Sequence, residues 1–375
     1  MIIWFLFSVI ALLLAFFSQK KYFPKEHKWA QFILAIWLGW FVSFGSRGMQ
    51  DQPGYVLAYN SFGDLPIFNL LELLLMHINS LKGTRIGMEI GYQTLCSIFN
   101  KCGFSYVGFA FFYSIILNNL VIKFIYRYNY PLISVLIFIV TVYYSQQANL
   151  VRQMMAVAIF LYATKFIISK QFQFYLFFII LASLFHVSSL ILLPVYFFIL
   201  NYRFKIILTL LWFISLALYY IGENNSLIQS IRLVYISYYE IGLDKDESVG
   251  IDNGFSWFNN LVVLFILFTV KKNSATQPLV SNIFILGVII LNFRIVSDWF
   301  FRLSLYFTIF YVVLLPTLFK DLNETNLIKI INKKLLNKLF LIPIIYYLYI
   351  LFSYVFRNSG VVLGYDMYTF NEIWK

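Results

Sequence analysis

The sequence predicts an all-α fold, a polytopic integral membrane helix bundle of about twelve transmembrane helices. Three observations carry that expectation. The 375 residues are 61% hydrophobic and only 12% charged, whereas soluble domains are near 45–50% apolar and about 25% charged. Apolar runs of roughly 15–20 residues, about the length that crosses a bilayer, recur along the chain. The basic residues collect in alternate short connections, as the positive-inside rule requires. One transmembrane domain over residues 1–375 follows, with lipid as its solvent.

The first run, Met1 to Phe17, has no basic leader and no small-x-small cleavage pattern, so it is expected to be a retained span rather than a signal peptide. Lys20, Lys21, Lys25 and Lys28 follow it and place the first connection in the cytoplasm. Spans are then expected near 2–18, 29–45, 104–122, 131–148, 151–169, 172–186, 187–201, 205–221, 257–270, 278–294, 302–319 and 339–356. The stretch 172–201 reads as one long helix or two short ones, and two are preferred. Two long outer loops remain, 46–103 and 222–256. Within the first, Ile67–Leu81 is too polar to span and is expected to lie along the interface or re-enter.

Alternation from an outer amino terminus puts 17 of the 28 basic residues, but only Glu26, Asp321 and Glu324 among the acids, on the inner side. The net charge of +12 is thereby explained by topology, and a nucleic-acid partner is excluded. Cys96 and Cys102 match no metal spacing.

With the inner charges set aside, Arg47, Asp51, Tyr55, Glu89, Arg152, Gln153, His186, Arg294, Asp298 and Arg302 remain, all at outer helix ends or in outer loops. Charges near lipid cost about 2.5–3.5 kcal/mol by insertion scales, so they pair or line a wet cavity. Arg294, Asp298 and Arg302 are spaced i, i+4, i+8. On a continuous helix they share one face about 12 Å long. They form either a salt-bridge ladder or two arginines held by a carboxylate and aimed at an anion. Arginine suits a diphosphate because its planar fork binds two oxygens and stays charged. Arg152, beside Gln153, opens a helix, where free N–H groups already favour anions; the alternative is a snorkelling interface residue. His186 ends an apolar run and is either structural or a base able to take a proton near neutral pH. Glu89 and Asp51 are the rival bases. Tyr55, Tyr59, Tyr92, Trp257 and Trp299 either stack on sugar rings or pack.

The segments RGMQDQPGY at 47–55, MEIGYQTL at 88–95, NLVRQMMA at 149–156, FHVSSLILLPVY at 185–196 and NFR at 292–294, with the closing VLGYDMYTFNEIW, resemble the EpsG/Wzy group of bacterial polysaccharide polymerases. The resemblance runs through most of the chain in order. Its most specific parts are the Arg-Gln pair opening a span and the Phe-His-x-Ser motif. It implies a glycosyltransferase of the bacterial cytoplasmic membrane with its active site on the extracytoplasmic side. The implied donor and acceptor are oligosaccharide repeat units on undecaprenyl diphosphate. A chain-length regulator and a flippase are the implied protein partners, and membrane lipid surrounds the chain.

The expected catalytic residues are His186, Arg152, Arg294, Arg302, Glu89 and Asp51. Arg47, Tyr55, Tyr92, Gln153, Ser189 and Asp298 are expected to bind substrate. Metal-dependent transferases use Asp-x-Asp pairs, and the sequence has that spacing only at Asp244 and Asp246, beside Glu247 in a polar outer loop. Metal binding there is the lesser reading, and a metal-free, cofactor-free inverting transfer is expected. An O-antigen ligase, another lipid-linked glycosyltransferase, and a non-catalytic flippase or transporter are the other readings. A transporter should show repeats and ionisable groups at the bilayer midplane, and neither stands out here.

Overall fold

The computed structural model describes residues 2–45, 51–63, 88–199, 202–222, 226, 230, 253–269, 276–324 and 372. Arg47, the 67–81 segment, most of the 222–256 loop with Asp244, Asp246 and Glu247, the 339–356 span and the closing motif lie outside them. Two compact units emerge, Met1–Leu193 with Ile344–Lys375, and Pro194–Pro343.

In the first unit the helices are α1 (Ile2–Phe17), α2 (His27–Phe44), α3 (Gln52–Ser61), α4 (Ile90–Lys101), α5 (Tyr106–Ile125), α6 (Pro131–Val140), α7 (Val142–Asn149), α8 (Val151–Ile168) and α9 (Phe172–Ser183). A 3-10 stretch, Val187–Leu192, follows. Apolar side chains drive this assembly, and backbone polar groups close it. The α1–α2 hairpin is antiparallel, with the Trp37 indole donating to the Phe7 carbonyl at 3.1 Å and the Gln31 amide to the Ser18 carbonyl at 3.3 Å. Phe7 stacks on Phe41 in the seam, ring centroids 3.9 Å apart. α2 meets α5 at Gly39, where a Cβ would sit 2.9 Å from the Ile115 backbone nitrogen. Helices without a hydrophobic drive between them pack through such small residues.

Several expected spans are interrupted. Thr141, extended at φ −108° and ψ 164°, separates α6 from α7, which bend by 53°. A reciprocal amide pair between Asn118 and Gln147, at 3.0 and 3.2 Å, holds the bent piece to α5. The run 172–201 is also broken, because α9 stops at Ser183 and the chain resumes as a 3-10 stretch at Val187. The run is thus not one long helix; a further short helix, Val195–Phe198, follows the 3-10 stretch, and none of the pieces has the length of a full span.

α5 and α8 run in the same direction. Tyr113 on α5 reaches the Val151 carbonyl at the start of α8, and Arg127 just past α5 reaches Leu161 and Tyr162 near its end. Tyr126 ties to Ala15 at 2.7 Å, which brings the end of α1 to the same level. One end of the unit thus gathers the connection carrying Lys20, Lys21, Lys25 and Lys28 together with Lys123, Arg127, Lys165 and Lys170. The other end gathers α3, the start of α4, the start of α8 and the turn after α9.

The second unit contains α10 (Tyr202–Gly222), α11 (Asn253–Thr269), α12 (Thr276–Asn292), a 3-10 turn (Phe293–Ile295), α13 (Asp298–Thr308) and α14 (Tyr311–Glu324). Its core holds a buried polar network. The Trp212 indole donates to Asn260 Oδ1 at 2.7 Å, Asn260 Nδ2 to Asn292 Oδ1 at 2.8 Å, and Asn292 Nδ2 to the Ser215 hydroxyl at 3.0 Å. Groups buried in an apolar bundle need such mutual satisfaction. α13 packs against α12 at Gly287, where a Cβ would come 2.6 Å from that of Phe307.

Among the described residues, four helices are long and apolar enough to cross a membrane: Tyr106–Ile125, Val151–Ile168, Phe204–Gly222 and Pro278–Ile295. The count becomes six if each bent pair, 131–149 and 299–318, is one span. Shorter apolar helices, including Ile3–Phe17 and Phe172–Ser183, accompany them. α10 leaves Ile206, Leu210, Phe213, Ile214 and Ile221 exposed. An apolar face of that extent is unstable in water and requires lipid.

Candidate functional site

Glu89 is the centre of the arrangement in the first unit. It stands before α4 in extended conformation, φ −67° and ψ 146°, where a carboxylate ordinarily caps the helix through the first free N–H groups. Here it makes no such cap. The carboxylate turns instead to three groups from distant segments. Arg152, in the first turn of α8, donates from Nη1 to Oε2. The His186 ring stands with Nδ1 2.9 Å from Oε1, and the Val187 backbone N–H donates to the same oxygen at 3.3 Å.

Backbone packing fixes this geometry. The Gly91 N–H donates to the Leu184 carbonyl at 2.8 Å, and a Cβ on Gly91 would lie 2.7 Å from that oxygen. Only glycine lets the start of α4 dock on the turn that carries His186. Tyr92 is fully buried beneath, edge-on to Tyr55 and Tyr113 at 5.8 Å each. The Tyr55 phenol lies close enough to the Arg152 guanidinium for the two to interact electrostatically. Burial raises the Tyr55 phenol above its ordinary value, and Arg152 offsets this only in part.

Burial alone would raise the Glu89 carboxyl. The hydrogen bond from His186 and the charges of Arg152 and His186 outweigh it and hold the group below its ordinary value. Glu89 is therefore an ionised anchor at neutral pH and a poor proton acceptor. Its bond to Nδ1 orients the imidazole. With Nδ1–H donating to the carboxylate, the lone pair lies on Nε2, on a side chain that is 24% exposed. This is the orientation a general base needs.

The sequence-derived candidates divide clearly. Glu89, Arg152, His186 and Tyr55 come together, with Tyr92 packed below. Gln153 and Ser189 are buried nearby in sequence, on the first turn of α8 and in the 3-10 stretch. Asp51 is exposed one turn before Tyr55, at the start of α3.

Arg294, Asp298 and Arg302 belong to the second unit, and there the expected single-helix ladder is corrected. α12 ends at Asn292, Arg294 lies in a 3-10 turn, and Ser297 is extended at φ −162°. The Ser297 hydroxyl accepts from the Trp299 N–H at 3.2 Å and starts a new helix. The three residues thus do not occupy one helical face. The Arg294 guanidinium lies 4.6 Å over the Phe301 ring, and Arg302 is exposed on α13. Trp257 and Trp299 are also exposed.

The roles of Gly91 and the Val187 N–H were not anticipated. A glycine two residues after Glu89 was the available signal. The buried Asn260–Asn292 network was also missed, although asparagines inside apolar helices announced it.

These features define a multi-pass α-helical membrane protein with a polar site at one end of a bundle. The profile of the EpsG family matches residues 32–369, nearly the whole chain, and the protein belongs to that family. No curated protein and no solved structure matches it.

Proposed function

We propose that this protein is a polysaccharide polymerase that joins oligosaccharide repeat units carried on undecaprenyl diphosphate. The single observation that carries the mechanism is the Glu89–His186 pair. A sugar hydroxyl is a weak nucleophile until its proton leaves. Nε2 of His186 accepts that proton as the acceptor oxygen attacks the anomeric carbon, and Glu89 stabilises the imidazolium that forms. A general base of this kind contributes about 10²–10⁴-fold. Attack opposite the leaving diphosphate gives inversion in one step, without a covalent intermediate.

Negative charge grows on the diphosphate as it departs and calls for cations. Arg152 is the cation beside the Glu89–His186 pair; Arg294 and Arg302, read from the sequence alone, are proposed for the same task, and Arg47, Gln153, Ser189 and Asp298 for substrate binding. Arg152 spends part of its charge on Glu89, so its first task is to hold the anchor. The arginines supply the stabilisation in a metal-independent reading. The positive-inside rule puts the lysine-rich end of the first unit in the cytoplasm and the Glu89 site on the extracytoplasmic face.

The test is polymerisation by the purified chain in liposomes with lipid-linked repeat units. Wild type should give a ladder of products, and His186→Ala should give lipid-linked single repeats at normal protein level. A His186→Ala variant with wild-type turnover overturns the assignment. In cells, deletion should leave one repeat per anchor; loss of all attached glycan would indicate a ligase.

A further inference from the structure

The end of the first unit opposite Glu89 carries a second concentration of charge that polymerisation does not use. Arg127 is half-buried there. It donates to the carbonyls of Leu161 and Tyr162 at 3.3 and 3.0 Å and to the Thr164 hydroxyl at 3.3 Å. Its guanidinium lies 5.4 Å from the Tyr162 ring centre. Lys165 stands over the same ring at 3.7 Å and over Phe166 at 4.6 Å. Lys123, exposed one turn before Arg127, lies close enough to act on Tyr162 electrostatically.

Among the described residues, no carboxylate pairs with any of these three cations. The end of α8 offsets only part of the charge, since a helix C-terminus is equivalent to about half a negative charge, against three positive ones. The surroundings are also apolar. Phe166 stacks on Phe174 and Phe178 at 5.3 Å each, and Phe174 and Phe177 are more than half exposed on α9. Cations that border an exposed aromatic flank suit a ligand with an anionic head and an acyl tail.

We propose that Lys123, Arg127 and Lys165, set around Tyr162, bind the phosphate of an anionic phospholipid in the leaflet at this end, with the acyl chains along Phe166, Phe174 and Phe177. The exposed aromatic flank is what favours a lipid over a soluble phosphate. This site is independent of the polymerase reading, and its test requires no turnover.

The full chain in neutral detergent is titrated with phosphatidylglycerol and with phosphatidylcholine, and bound lipid is counted by native mass spectrometry. Phosphatidylglycerol should bind on the order of tenfold tighter. The Lys123→Gln, Lys165→Gln pair should erase most of that preference. These side chains make no backbone bonds, so the thermal midpoint should fall by no more than the loss of the Lys165 ring contacts accounts for. Lys165→Arg should keep the preference. Equal binding of the two lipids, or an undiminished preference in the double variant, overturns the proposal. Displacement of phosphatidylglycerol by millimolar inorganic phosphate would assign the cations to a soluble anion and overturn the lipid reading.

Discussion

A carboxylate that could have capped its own helix binds a histidine and an arginine instead, and that choice sets the chemistry at the residue scale. Glu89→Gln keeps the shape and removes the charge. It should lower turnover by about 10²-fold or more, within the range for a base and its support, while leaving the chain folded. His186→Ala with Glu89→Gln should lose little beyond the worse single variant, because the pair acts as one unit. Additive losses in liposome assays would separate the two residues.

The Glu89 carboxyl lies below its ordinary value of 4.5 because His186 and Arg152 overcome burial. A depressed acid contributes stability above its unfolded pKa and loses it as pH falls through the folded one. The thermal-midpoint gap between wild type and Glu89→Gln should therefore persist from neutral pH down to about 5. It should close only in more acidic buffer; a gap that closes near neutrality contradicts the ion pair.

At the scale of elements, two glycine questions have opposite signs. Gly91→Ala drives a methyl group into the Leu184 carbonyl and separates α4 from the His186 turn. Activity should fall at least tenfold, with a destabilisation of about 1–3 kcal/mol, the usual range for overpacking. Lys170 closes α8 in the left-handed region at φ 57°, with the Gln171 N–H bonded to the Phe166 carbonyl at 2.8 Å. Glycine is the natural residue at that position. Lys170→Gly should raise stability by about 1 kcal/mol, measured by unfolding in mixed micelles.

Elements were legible wherever period and punctuation agreed. The break near His186 was readable. The break before Asp298 was equally readable from Ser297, a helix-starting residue, but the i, i+4, i+8 spacing of the charges masked it. Glu89, Arg152 and His186 stood out as polar residues expected on one side of the membrane. Their mutual contact was not readable, because it joins residues 63 and 97 positions apart and depends on packing that local periodicity does not encode.

At the scale of the whole molecule, the apolar exterior and the two unlike ends of the first unit make the chain a membrane protein with a direction. The second unit depends on an internal polar network, so Asn292→Leu should take one partner each from the Asn260 amide and the Ser215 hydroxyl, leaving them the Ser256 and Trp212 carbonyls. A buried polar group without its partner costs about 1–3 kcal/mol. Asn260→Leu combined with Asn292→Leu should be milder than the sum of the single changes, as a double-mutant cycle in detergent would measure.

The wide sequence separation of the site residues also governs biogenesis. A ribosome makes Glu89 long before Arg152, and His186 later still. During insertion the carboxylate first stands alone, then gains a cation, and is fully held only after α9 has turned back across the bundle. A nascent chain arrested between α8 and α9 already carries the ion pair but lacks the imidazole. The Glu89–His186 contact is thus absent while its scaffold is made, and it forms only when the segment after Ser183 comes to rest against Gly91.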